Sequence, residues 1–396
     1  MLLALFLLAS LTAQASPPSA LHLPASEQAE ARYRIYDATG KAASIEDVLA
    51  ALDAVEVVFV GEQHDDAAGH AFEAELLRRA FERYNAERGN AKRRALALSL
   101  EMFERDAQIV LDEYLRGLIN ESQFLSSSRP WNNYRMDYRP LVEYARERNL
   151  AVIAANAPAR YVNRVARLGP ESLQALSAAA KEWLPPLPFA TASRAYAAKF
   201  NQLMSGAQMN AGGAQGSASS PHAATYLLDA QTLRDATMAY AVAQQLKRQP
   251  AALVLHVNGN FHSEERLGVP EQLLHYRPKT RSLIITIVSD ESYPNFDRAR
   301  FGHLGDFIIM TDPALPRSFQ SYRGDYSAKK FWNSPVSQRV LSAGGAPTLH
   351  SRRLSRRLLP RRLLRVSSVD YRSHRRLRLH ERLASQTQVL RFSLTI

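Results

Sequence analysis

Val55-Glu56-Val57-Val58-Phe59-Val60 runs straight into Gly61-Glu62-Gln63-His64, and about two hundred residues later Leu253-Val254-Leu255-His256-Val257 leads through Asn258 into Gly259-Asn260-Phe261-His262. Each is an apolar run of strand length that ends in the spelling G-x-x-H. Glycine lets backbones approach closely where a strand turns. A histidine three residues later can ligate a metal or move a proton. Runs that are apolar throughout, rather than alternating, belong to strands covered on both faces. Four more runs share this character: Ala95–Leu100, Leu150–Ala155, Leu283–Val288 and Phe307–Met310.

Helical spacing separates these runs. The clearest case is Ala67–Glu87, with Phe72, Leu76, Leu77, Ala80, Phe81 and Tyr84 on one stripe and Asp65 and Asp66 where an N-cap belongs. The alternation predicts an α/β fold: a mostly parallel sheet sandwiched by helices. Two stretches, about 103–148 and 158–249, are long and helical with no strand signal, which predicts an inserted helical subdomain. Within the second, Ser205–Pro221 is rich in Gly, Ala and Ser and reads as a mobile loop.

Composition bounds the chemistry. The chain has 396 residues, 46% of them apolar, and no cysteine, so disulfides, thiolate ligands and a lipidated cysteine are excluded. The apolar start Met1–Leu11, followed by Ala13-Gln14-Ala15, predicts a signal peptide over residues 1–15 and hence a periplasmic or secreted protein. The net charge of +12 is unevenly spread: from Lys329 onward sixteen Lys and Arg face only Asp370 and Glu381, a tail charge of +14 that leaves the rest at −2. Residues 329–396 therefore read as a basic, disordered extension, or the product of a shifted reading frame, that can touch anionic surfaces. The globular body shows no electrostatic signature for nucleic acid.

Polar residues gather where the apolar runs end. These are Glu62 and His64, Ser99 and Glu101, Asn156, Asn258 and His262, and Ser289 with Asp290. In open parallel sheets the ligand crevice lies outside the carboxyl ends of the strands. One site built from distant segments is the expectation, with His64, His262 and Glu101 as candidate metal ligands. Gly61, Glu62, Asn258 and Gly259 would support them. Locally, His64 could instead bond Asp65, His262 could bond Ser263 or Glu264, and Glu101 could cap a helix. Two His with one or two Glu suit a divalent metal with an open position, and in a hydrolase Glu62 and Glu101 would be the catalytic carboxylates. No nucleophile elbow or phosphate-cradling loop is present.

The helical stretches add Arg129–Leu141, where aromatics alternate with arginines, and Asn156–Tyr161. Such pairs can stack a flat macrocycle and meet its carboxylates. Tyr161 beside Arg160 is of interest because tyrosinate is a hard ligand for ferric iron. Met204, Met209 and His222 are weaker candidates around the flexible loop. An amphipathic seam between helices explains the same residues without a ligand.

Six segments carry a resemblance: Val58–Asp66, Ser99–Phe103, Trp131–Ala145, Ala155–Tyr161, Asp229–Ala239 and His256–His262. In that order they resemble the ChaN family, haem-binding uptake proteins of the Tiki, TraB and erythromycin-esterase superfamily, over residues from about Tyr36 to Phe319. The resemblance implies an exported α/β domain over about 30–320 that carries haem in a pocket shared by two chains. It also implies a tyrosine as iron ligand, with histidine and arginine at the propionates. Tyr161 is the first choice and Tyr134, Tyr138 and Tyr226 are rivals. The superfamily's paired G-x-x-H motifs and strand-end glutamate fall on His64, His262 and Glu101, and in the Tiki branch they imply metal-dependent hydrolysis as the alternative. The family's lipoprotein cysteine is missing, and the tail has no counterpart.

Overall fold

The computed structural model describes residues 32–85, 94–210 and 226–318, with the side chains of 206–210 left out. The signal-peptide stretch, residues 211–221, His222 and the tail 329–396 lie outside the described residues. The described part is built on one eight-stranded sheet. Its strands are β1 Tyr33–Asp37, β2 Ala42–Ala43, β3 Val57–Glu62, β4 Leu96–Glu104, β5 Ala151–Asn156, β6 Leu253–Gly259, β7 Ser282–Ser289 and β8 Phe307–Thr311. Their spatial order is β2-β1-β8-β7-β3-β6-β4-β5.

The six expected runs are β3 to β8, and all pair in parallel. The antiparallel pair at the β8 edge, β1 with β2, was not foreseen. Its five-residue strand Tyr-Arg-Ile-Tyr-Asp is short, mixed in polarity and only partly buried, so its sequence signal is weak. The candidate site follows from where β6 returns. The chain lays down β3, β4 and β5, then threads β6 between β3 and β4. This sets Gly61 beside Asn258 and Glu62 beside Gly259.

Alternate side chains of the central strands feed two cores, one on each face. Val58, Val60, Leu98, Leu100, Leu255 and Val257 pack with the helix Ala67–Asn85 through Phe72, Leu76, Leu77, Ala80 and Tyr84. Val57, Phe59, Ala97 and Val254 pack on the other face with Met238, Val242 and Leu246 of the helix Leu227–Arg248. This double covering is why the strands are apolar throughout. Each fully buried side chain of that size contributes about 1.5–3 kcal/mol of transfer free energy. The first helix starts as expected, with Asp66 Oδ1 accepting from the backbone N–H of Ala68 at 3.1 Å and of Gly69 at 3.2 Å.

The inserted helices follow β4 and β5. The first group holds the helices Gln108–Leu115, Glu121–Ser128 and Arg139–Glu147 and a π-helical turn at Tyr134–Tyr138. An aromatic cluster anchors it, with Tyr114 stacked on Phe124 at 4.4 Å between centroids and Phe103 and Tyr134 around them. The second group runs through Ala159–Leu168 and Arg194–Asn210. Val162, Val165 and Leu173 there form a separate small core with Ala230 and Leu233. Two expectations need correction. The helix Arg194–Asn210 continues through Ser205, where composition had placed a loop. The helix Leu227–Arg248, counted in the insertion by its sequence position, covers the sheet itself.

Candidate functional site

The two G-x-x-H loops cross at the carboxyl rim of β3 and β6, and each glycine makes room for the other loop. A Cβ on Gly61 would stand 2.8 Å from the Cα of Asn260, and a Cβ on Gly259 would stand 2.9 Å from both Cε1 and Nε2 of His64. The first obstacle is backbone and the second is the tip of a side chain. Gly61→Ala is therefore expected to cost about 1–3 kcal/mol of stability through overpacking. Gly259→Ala is expected to cost less and to turn the His64 ring out of place. Denaturant unfolding of both variants, with histidine NMR, checks the contrast.

His64 stands at the mouth of the site. Its Nδ1 lies 2.7 Å from Glu62 Oε1, and its side chain is 38% exposed. The Trp131 ring meets it edge-on at 4.5 Å, and its backbone carbonyl accepts from Asn133 Nδ2 at 2.6 Å. Glu62 is buried and also accepts from the Tyr138 hydroxyl. Burial opposes the charge on both partners. The His70 and His64 imidazoles nonetheless hold the Glu62 carboxyl below its usual range. Glu62 in turn raises His64.

His262 is enclosed where His64 is open. Its side chain is 2% exposed, with Nδ1 2.5 Å from Asp235 Oδ1 and Nε2 3.3 Å from Glu101 Oε1. Gln231 Nε2 approaches the ring at 3.1 Å, and the Tyr196 hydroxyl donates to Asp235. Burial opposes protonation here too, but the carboxylates of Glu101 and Asp235 outweigh it and lift the imidazole to about 10. Glu101 accepts from the Gly259 N–H at 2.7 Å, so it braces the second loop and does not cap a helix. Desolvation would raise its carboxyl, yet His262, His64 and that N–H hold it well below the usual range. Glu62, His64, Glu101 and His262 thus make one constellation. Asn258 completes the loop through the Gly259 carbonyl at 2.8 Å and Ser263 Oγ at 2.9 Å.

Other candidates lie apart from it. Arg160 covers the Tyr161 ring at 4.4 Å and pairs with Asp106 at 2.5 Å. Among the described residues no hydrogen bond or ring contact joins Tyr161 to His64 or His262. Asn156 accepts from Arg234 at 3.2 Å. Ser99 points into the sheet core and meets His256 Nδ1 at 2.8 Å. Asp290 is tied to Arg300 at 2.6 Å. Tyr134 and Tyr138 are each 1% exposed, while Tyr161, Tyr226 and Met204 are half-buried. The side chain of Met209 lies outside the described residues.

The sequence reading did not single out Asp235, Tyr196, His70, Glu73 or Asp137 as site residues. His70 and Glu73 had a legible signal, since with Leu77, Ala80 and Tyr84 they form one buried helical stripe interrupted by two titratable groups.

A mostly parallel α/β sheet thus brings two histidines from crossed loops to its rim, each paired with carboxylates. The family described as "Haem-binding uptake, Tiki superfamily, ChaN" matches residues 48–273, and the chain belongs to it. Among solved structures, the fold is similar to that reported as "Cofacial heme binding to ChaN of Campylobacter jejuni", at 15% identity and a TM-score of 0.50, covering 71% of this chain and 97% of that one. An erythromycin esterase mutant, EreC in its open conformation, is 13% identical over 71% of this chain and 83% of that one, with a TM-score of 0.36. A Bacillus cereus protein is 10% identical over 72% and 96%, at 0.38. No curated protein sequence matches.

Proposed function

We propose that this chain binds haem for iron or haem uptake after export, with Tyr161 holding ferric haem, Arg160 and His64 at the propionates and His262 supporting the rim. The observation that carries this reading is the state of Tyr161: it keeps an accessible edge and lies under a guanidinium at 4.4 Å. The rivals Tyr134 and Tyr138 are sealed in the core, and burial drives both phenols upward, away from the ligating form. Tyr226 keeps an accessible edge as well and rests against Gly169, where an added Cβ would come within 3.0 Å of its ring. Arg160 must exchange Asp106 for a propionate. Of the two histidines the open His64 is the one to meet a ligand directly, and His262 acts by holding Glu101. A second copy closing the pocket belongs to the same reading. Among the described residues no helix is long and apolar enough to cross a membrane.

Hemin titration followed by absorbance tests this. A saturable Soret shift at micromolar hemin is expected, weakened about tenfold or more in Tyr161→Phe, a loss of about 1.4 kcal/mol, and little changed in Tyr226→Phe. No spectral change in the parent chain overturns the reading.

One observation favours a second reading, a metal-dependent hydrolase. The Glu62–His64 pair, 2.7 Å apart at a solvent-facing edge, is a carboxylate-oriented imidazole of the kind that ligates a metal. His64, Glu101 and His262 would hold the divalent metal. Metal-supplemented protein that turns over no ester or peptide substrate removes it.

A further inference from the structure

Behind the rim lies a second cluster that the proposed function does not use. Glu62, His70 and Glu73 are all buried, and one ligand atom from each lies within 4.8 Å of the other two. His70 Nδ1 stands 3.0 Å from Glu73 Oε2 and 3.4 Å from Glu62 Oε2. Two ligands each about 2.1 Å from one ion stand about 3.0–3.4 Å apart, for angles between a right angle and the tetrahedral value.

The other side of the His70 ring sets its tautomer. Nε2 faces the His64 carbonyl at 3.2 Å, and that oxygen can only accept. Nε2 therefore carries a hydrogen, so Nδ1 is the nitrogen left to face the two carboxylates, and its proton is the one an ion would displace. A metal-bound histidine usually donates its other ring N–H to a carbonyl or carboxylate, as Nε2 does here. Independently, Glu62 Oε2 and Glu73 Oε1 are buried with no hydrogen-bond partner. Orphaned buried carboxylate oxygens are costly, and few are tolerated in folded proteins. Asp137 Oδ2 stands 3.6 Å from Nε2, on the side of the ring away from the cluster, and accepts from Asn133 at 2.7 Å and Ser318 at 2.6 Å.

We propose that Glu62, His70 and Glu73 form a closed structural site for one divalent cation of the zinc or manganese kind. His70 Nδ1, Glu62 Oε2 and the two Glu73 oxygens supply the donors, a nitrogen-and-oxygen set suited to a borderline to hard ion. The ion enters during folding, because all three side chains are covered. Its consequence is positional: it fixes one oxygen of Glu62 while the other holds His64 and Tyr138. This site is separate from haem binding and does not depend on it.

The full chain, produced with zinc or manganese in the medium and passed through chelator, is analysed for metal. About one ion per chain is expected to remain, together with a metal-dependent rise in unfolding midpoint when apo protein is refolded with the ion. Glu73→Gln keeps the shape of the side chain and is expected to lose the ion at least about tenfold while circular dichroism stays native. His262→Ala is expected to keep the ion, which separates this cluster from the rim. Tyr161→Phe is expected to keep it even where the Soret band weakens, so failure of the haem reading leaves this result standing. Metal-free protein whose unfolding midpoint ignores both ions overturns the proposal and leaves a proton shared among the three groups. Metal retained in Glu73→Gln and lost in His262→Ala overturns it as well.

Discussion

Asp235→Ala is expected to lower the unfolding free energy by about 3–5 kcal/mol in a urea titration at neutral pH, because one partner of a buried ion pair disappears. Asp235 is fully buried, and His262 beside it is charged well above neutrality. Without Asp235, His262 keeps only the Glu101 carboxylate to balance its charge, and the buried Tyr196 hydroxyl loses its acceptor. Asp235→Asn should cost less, since the amide oxygen still accepts from one of them. The pH dependence carries the sign. His262 has a folded-state value near 10, raised from an ordinary value of about 6.5. The stabilisation from its protonation is therefore complete below about 6.5 and fades as pH climbs toward 10. In Asp235→Asn the histidine titrates lower, so the fading still begins near 6.5 but ends at a lower pH and amounts to less. Identical pH–stability curves for parent and variant would show that the pair contributes nothing.

The sheet was legible because its physics is local. Strands covered on both faces must be apolar throughout, so β3 to β8 announced themselves, while β1, at an edge with mixed polarity, did not. The convergence of His64, Glu101 and His262 was legible for a related reason: parallel strands put all their carboxyl ends on one rim. The partners behind those residues were not. Asp235 reaches His262 from the buried face of a helix whose rotation against the sheet depends on Met238, Val242 and Leu246 finding their places. That rotation is a packing outcome across distant segments, and no short window encodes it. The same holds for Ser99, which shares a strand with Glu101 and points the same way from the pleat, yet ends in the core against His256 because it lies two residues short of the rim.

Glu62→Ala is the other large effect, about 3–5 kcal/mol of lost stability by the same buried-pair logic. Three groups depend on that carboxylate: the Nδ1 atoms of His64 and His70 and the hydroxyl of Tyr138. Tyr138 is sealed from water, so its orphaned hydroxyl alone costs about 1–3 kcal/mol. Glu62→Gln preserves volume and one acceptor but removes the charge, and its smaller stability loss makes it the informative variant. His64 should then titrate lower, because the carboxylate that raises it is gone. The two functional readings part here. If His64 only meets a propionate, neutralising Glu62 should leave hemin affinity within a few-fold of the parent. If Glu62 and His64 together activate water, turnover should collapse while hemin binding is spared. Because Glu62 also belongs to the proposed cation cluster, Glu73→Gln must be measured in parallel. An effect on turnover shared by both variants would trace to the lost ion, and one confined to Glu62→Gln would trace to His64.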